Sequence, residues 1–131
     1  MQNLMFVHIG VMALSVVLIG IAVTIAQGRK QNWFKRHKAF ALFGVVSGLA
    51  GFIVMFVFKM STQYPHFQSL HAIGGIIGVL LLIVTPIIGA NIPHGPKFFR
   101  PTHRALGRIT GIVVLLTAVL GIFRLVQLFK R

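Results

Sequence analysis

With no Asp, Glu or Cys anywhere, six histidines carry nearly all the ligand and proton-transfer chemistry open to this 131-residue chain. His66 and His94 stand beside prolines in polar stretches and read as loop histidines. The other four, His8, His37, His71 and His103, are spaced by 29, 34 and 32 residues, and each opens or nearly opens a long apolar run. One run plus one turn separates each from the next. If the runs are antiparallel helices, alternate histidines share an end of the bundle: His8 with His71, and His37 with His103. Helices one and three can be diagonal in a four-helix bundle, and so can two and four. Each diagonal then offers two facing imidazoles, and neutral imidazole is a good axial ligand for haem iron.

The neighbouring residues bear on this. Four residues after each histidine come Met12, Ala41, Gly75 and Gly107; seven after come Ser15, Gly44, Gly78 and Thr110. These positions lie on the histidine's own face, one and two turns deeper. All but Met12 are small, which leaves room for a broad ring. Small residues at spacing four, as in Gly44/Gly48 and Gly74/Gly78, are also what close packing of membrane helices uses. A single histidine at the end of a span is commonly an interfacial polar residue. Four of them, one per span and pairing by side, point to function, because ionisable groups in spans are rare. Met5, Met12, Met55 and Met60 read as apolar filler.

The elements that position these residues follow from composition. The chain is 56% hydrophobic, with a strongly positive mean hydropathy, which places it among integral membrane proteins. Four apolar segments, about 4–26, 39–58, 69–90 and 105–126, are each near the ~20 residues needed to cross a bilayer. Short connections with Pro, Gly or charge separate them, so the expectation is all-α: one domain, 1–131, folded as an antiparallel membrane four-helix bundle. The first seven residues carry no Lys or Arg and the first run is longer than a signal h-region, so it reads as a span. Trp33 and Tyr64 fit interfacial anchors.

The missing acids exclude carboxylate acid/base catalysis, a Ser-His-Asp triad and carboxylate-held Mg²⁺ or Ca²⁺. The absence of cysteine excludes disulfides, iron–sulfur ligation and thiol chemistry. Thirteen Lys and Arg give a net charge of +13. On so apolar a chain their counter-charge is the lipid headgroup, or anionic groups on a cofactor, and no nucleic acid is expected. Arg29, Lys30, Lys35, Arg36 and Lys38 lie in the first connection, and Lys97, Arg100, Arg104 and Arg108 in or beside the third. Only Lys59, Arg124, Lys130 and Arg131 fall on the other side, so the positive-inside rule puts both termini outside. Arg104 and Arg108 follow His103 by one and five positions. With no acid to pair with them, they and Lys38 or Arg36 are candidates to hold the two propionates of an inner haem, with Lys59 the candidate on the outer side. The rival reading for each is simple topology-setting charge.

The stretches "HFQSLHAIGGIIGVLLLIVTPIIG" and "PTHRALGRITGIVVLLTAVLGI" resemble the last two core helices of the cytochrome b561 family, and "VHIGVM" and "KRHKAFALFG" resemble the first two more loosely. The similarity covers about 5–126. It implies a four-helix core with two b-type haems, each held by two histidines: one by His8 and His71, the other by His37 and His103. It also implies electron transfer across the membrane. Eukaryotic members take electrons from ascorbate, while prokaryotic relatives often serve quinones or soluble redox proteins. This chain lacks the extra flanking helices of the eukaryotic form, and its connections match no ascorbate-site motif. The expected function is therefore a dihaem b-type cytochrome between a reductant on one face (a quinol, an ascorbate-like donor or a redox protein) and an acceptor on the other. A homodimer is compatible with the sequence. Ligand levels about 18 residues apart along a helix would lie roughly 27 Å from each other. The alternative is a histidine-bearing assembly factor for a respiratory oxidase, handling copper or haem; "RHKAF" and "HRALGRIT" are compatible with it.

Overall fold

The computed structural model describes residues 2–62 and 68–130; Tyr64 and His66 lie outside them. Four helices follow one another: α1 (Gln2–Gly28), α2 (Trp33–Thr62), α3 (Leu70–Asn91) and α4 (Phe99–Phe129). All four are long and apolar enough to cross a membrane. Two of them start earlier than the apolar runs suggest, α2 and α4 each by six residues. An apolar window measures hydrocarbon thickness, whereas a helix continues into the headgroup zone, where Lys and Arg are good helix formers. Pro101 sits in the first turn of α4, where a proline costs no hydrogen bond. His37 and His103 are thereby inside helices, one turn from the start.

The turns are local chemistry. Arg29 (φ 44°) and Asn32 (φ 59°) adopt the left-handed region, which closes the four-residue link between α1 and α2. The Arg29 amide donates back to the Ile25 carbonyl at 3.2 Å and caps α1. At the start of α3 the Ser69 hydroxyl oxygen accepts from the Ala72 amide at 3.2 Å, an N-cap that fixes where His71 enters the bundle.

Packing proceeds by hairpins. α1 lies along α2 and α3 along α4, with lesser contact between α1 and α4 and between α2 and α3. Among the described residues α1 and α3 do not approach closely, nor do α2 and α4, so these are the diagonals. Large apolar side chains such as Phe43, Ile53, Leu80 and Phe123 point outward, as lipid demands. The centre is small and hydroxylic instead: Ser15, Ala22, Gly44, Gly48, Gly51, Gly78, Thr85, Thr110 and Thr117 are buried, with Ile19, Leu82 and Val114. Lipid tails are as apolar as any core, so helices associate through close backbone approach and hydroxyl hydrogen bonds. Ser15 Oγ donates to the Gly44 carbonyl at 2.7 Å, and Ser47 Oγ to the Val11 carbonyl at 2.9 Å. Across the other hairpin, Thr85 and Thr110 join hydroxyls at 2.9 Å.

Gly44 shows how tight the first hairpin is. A Cβ there would stand 2.9 Å from Ile19 Cγ1 and 3.2 Å from the Ile19 backbone nitrogen. The side chain can turn away but the backbone cannot. Gly44→Val should therefore cost about 1–3 kcal/mol, read as a lower midpoint in detergent-driven unfolding.

Candidate functional site

Each of the four span-opening histidines reaches sideways to its hairpin partner. His8 Nδ1 meets the Gly51 carbonyl at 2.8 Å and His37 Nδ1 the Ala22 carbonyl at 2.9 Å. His71 Nδ1 meets the Thr117 carbonyl at 2.8 Å and His103 Nδ1 the Thr85 carbonyl at 3.0 Å. A carbonyl only accepts, so Nδ1 carries the proton in all four rings. In a neutral imidazole that leaves the lone pair on Nε2, the state a metal ligand needs.

The acceptors follow a rule. Ala22, Gly51, Thr85 and Thr117 each stand 14 residues after the histidine of their own helix. Fourteen residues is close to four whole turns, so imidazole and carbonyl share one helix face. Every helix thus presents a histidine at one end and the anchor for its neighbour's histidine at the other.

The histidines then pair across the diagonals. The ring centroids of His8 and His71 are 6.3 Å apart with planes at 84°. Those of His37 and His103 are 6.0 Å apart with planes at 83°. Beside each pair lies a void. The outer one, on the side of the two chain termini, is about 100 Å³ and is flanked by Met12, Phe52, Met55, Phe56, Gly75 and Thr117. The inner one, at the opposite end, is about 60 Å³ and is flanked by Ala22, Ala41, Thr85, Pro86, Gly107 and Thr110.

The family model described as eukaryotic cytochrome b561 matches residues 3–128. The chain belongs to the cytochrome b561 family. No curated protein and no solved structure matches it. Cytochrome b561 membership, together with the four spans, makes the chain an integral membrane protein that binds b-type haem and takes part in haem-based electron transfer across the bilayer.

The residues of this b561 chain fit such a group. Two imidazoles coordinating one metal ion through Nε2 from opposite sides, each at about 2.0 Å, hold their ring centroids about 6 Å apart. Both pairs have that separation. Gly75 and Gly107, one turn deeper than His71 and His103, face open space, with nothing within 4 Å of where a Cβ would be. A leucine at either position would fill that room.

The basic residues divide. Lys59 lines the outer void with His8 and His71. Arg36, Lys38, Arg104 and Arg108 are exposed, and none of them is among the residues flanking the inner void. Arg36, Lys38 and Arg104 adjoin His37 or His103 in sequence, and Arg108 follows His103 by five residues. His94 is exposed in the connection before α4.

Sequence reasoning missed the anchors and the glycines behind two of the rings. A backbone carbonyl leaves no trace in residue type, so Ala22, Gly51, Thr85 and Thr117 carry no signal of their own. Gly89 and Gly121 do. A Cβ on Gly89 would come within 2.6 Å of the His103 ring, and one on Gly121 within 2.8 Å of the His71 ring. Each follows the histidine of its own helix by 18 residues, a repeat visible in the sequence. Trp33, expected as a membrane anchor, also packs its ring 6.4 Å from that of His37.

Proposed function

We propose that this chain is a two-haem b-type cytochrome carrying electrons between the two faces of the membrane, with bis-histidine ligation by His8 and His71 at the outer site and by His37 and His103 at the inner. The observation that carries the reading is the common state of the four imidazoles. Each is pinned by Nδ1–H to a carbonyl of its neighbour and keeps Nε2 for a metal. Bound haem supplies reversible one-electron chemistry at its iron.

The protein's share is positioning and electrostatics. Carbonyl acceptors fix ring orientation and raise the basicity of the ligating nitrogen. Apolar side chains and lipid around the voids keep water out, which favours the less charged state of the site. Lys59 acts from within the outer void, and Arg36, Lys38, Arg104 and Arg108, near the inner ligands in sequence, act as partners for carboxylates. Histidine and anchor levels lie 14 residues apart on every helix, roughly 21 Å. The glycines packed against the His103 and His71 rings, Gly89 and Gly121, stand 18 residues from the histidine of their own helix, roughly 27 Å, so the two ring levels lie between these bounds. The nine basic residues in and beside connections one and three mark the inner face, with both termini outside. The candidate reductants are a quinol, an ascorbate-like donor and a redox protein, and the short connections leave little room for a substrate pocket of the chain's own.

A pyridine haemochrome assay with a reduced-minus-oxidised spectrum on the purified chain tests this. Two haem b per chain is the expected result, and a chain that takes up none when supplied with haem ends the proposal. Positive charge stabilises the reduced form. The Arg104→Gln, Arg108→Gln double variant should therefore lower the midpoint of the inner haem while leaving the outer one in place, in a potentiometric titration.

A further inference from the structure

The bonding between helices is unevenly distributed. The seven interhelical hydrogen bonds described above all lie inside a hairpin, four joining α1 to α2 and three joining α3 to α4. Most close glycine contacts among the described residues also lie within a hairpin. Gly44 meets Ile19 and Gly51 meets Met12 in the first hairpin; Gly74 meets Thr117, Gly89 meets His103 and Gly121 meets His71 in the second. Between the hairpins there is one approach as close, a Cβ on Gly48 standing 2.7 Å from Leu82 Cδ1, while one on Gly111 reaches only ordinary contact with Val23, at 3.8 Å. Both voids, and both histidine pairs, lie across this weaker seam.

We propose that the two hairpins are rigid halves and that haem is the tie between them, so that filling either site closes the seam and prepares the other. This rests on the two-haem reading. The physical argument is one of shared states. Each hairpin holds its own two imidazoles ready through reciprocal Nδ1–H bonds, so neither site needs internal rearrangement. What each site needs is the correct spacing of one hairpin from the other, and that spacing is common to both. A ligand that binds only the closed arrangement shifts the equilibrium toward it. The second ligand then meets a chain already closed and no longer bears that cost. Coupling of this kind is reciprocal: each site must raise the affinity of the other by the same factor.

The cysteine-free sequence allows the test. Spin labels on Gln31→Cys and Lys97→Cys, both exposed, span the two hairpins, and labels on Asn3→Cys and Ser61→Cys stay within the first. In nanodiscs without haem, the interhairpin distance distribution should be broad and the intrahairpin one narrow. One haem, bound to a chain carrying either His8→Ala/His71→Ala or His37→Ala/His103→Ala, should be enough to narrow the interhairpin distribution. In haemin titrations counted by native mass spectrometry, disabling either site should weaken the other about tenfold, equally in both directions. A narrow interhairpin distribution without haem overturns the proposal, as does one that stays broad with one haem bound. Equal affinities with and without the second site overturn it too, and loosening of both label pairs in the absence of haem would show that the hairpins are not rigid. A chain that binds no haem at all instead removes the two-haem reading.

Discussion

Replacing His37 and His103 together with alanine should leave one haem b per chain instead of two, at saturating haem and with the helical content unchanged. Replacing His8 and His71 should do the same at the other face. The effect is large because an apolar void in a lipid-embedded bundle offers no other strong ligand. Among the described residues no cluster of three or more His, Cys, Asp or Glu exists, and the only histidines beyond the two pairs are His66 and His94. The fold should survive. Removing the His103 ring takes one donor from the Thr85 carbonyl, which keeps its helical partner four residues on. An interhelical hydrogen bond in a membrane is worth about 1 kcal/mol. A pyridine haemochrome assay on each pair variant counts the haems, and circular dichroism follows the helices. His94→Ala, on an exposed connection, serves as the control and should keep both haems. Two haems remaining in either pair variant would mean that other residues hold them.

The histidine spacing was enough to pair the rings by side, because alternation of helix direction is the only geometry needed. It also pointed to the face: Gly75 and Gly107, one turn below their histidines, do look into open space. The next turn reads differently. Ser15, Gly44 and Gly78 are buried; Ser15 and Gly44 serve the close packing of α1 on α2, whereas a Cβ on Gly78 would meet only Val113, at 4.0 Å. Small side chains satisfy both needs and the sequence does not separate them. Helices α2 and α4 begin six residues before the apolar runs because hydropathy reports the lipid boundary while hydrogen bonding continues beyond it. The carbonyl anchors were illegible for a simple reason: alanine, glycine and two threonines fill the same role, since the side chain takes no part in it. Nor does spacing tell which cation turns inward. Lys59, far from either histidine in sequence, lines a void, whereas Arg104, beside His103, is exposed and flanks neither void.

Gly89→Ala should weaken haem binding at the inner site by about tenfold or more, and Gly121→Ala should do the same at the outer, from a single added methyl group. In isolation the change favours a helix, since alanine is the better helix former. At Gly89, however, the new Cβ would stand 2.6 Å from Cε1 and 2.9 Å from Nδ1 of His103. At Gly121 it would stand 2.8 Å from Cε1 and 3.0 Å from Nδ1 of His71. Atoms that close must separate, and the ring cannot simply swing aside. Its Nδ1–H is tied to the Thr85 carbonyl in one case and to the Thr117 carbonyl in the other, so retreat breaks the bond that sets tautomer and orientation. Loss of such an outer-shell partner typically costs 10–100-fold in metal affinity. Gly20→Ala is the matched control, because nothing lies within 4 Å of a Cβ there, and its haem titration should overlay that of the unaltered chain. Site-resolved titration decides the outcome. The site behind the altered glycine should lose most, and its partner should follow only as far as the seam between hairpins couples them. Unchanged affinity at both sites in Gly89→Ala and Gly121→Ala would mean that ring position against the neighbouring helix does not control haem capture.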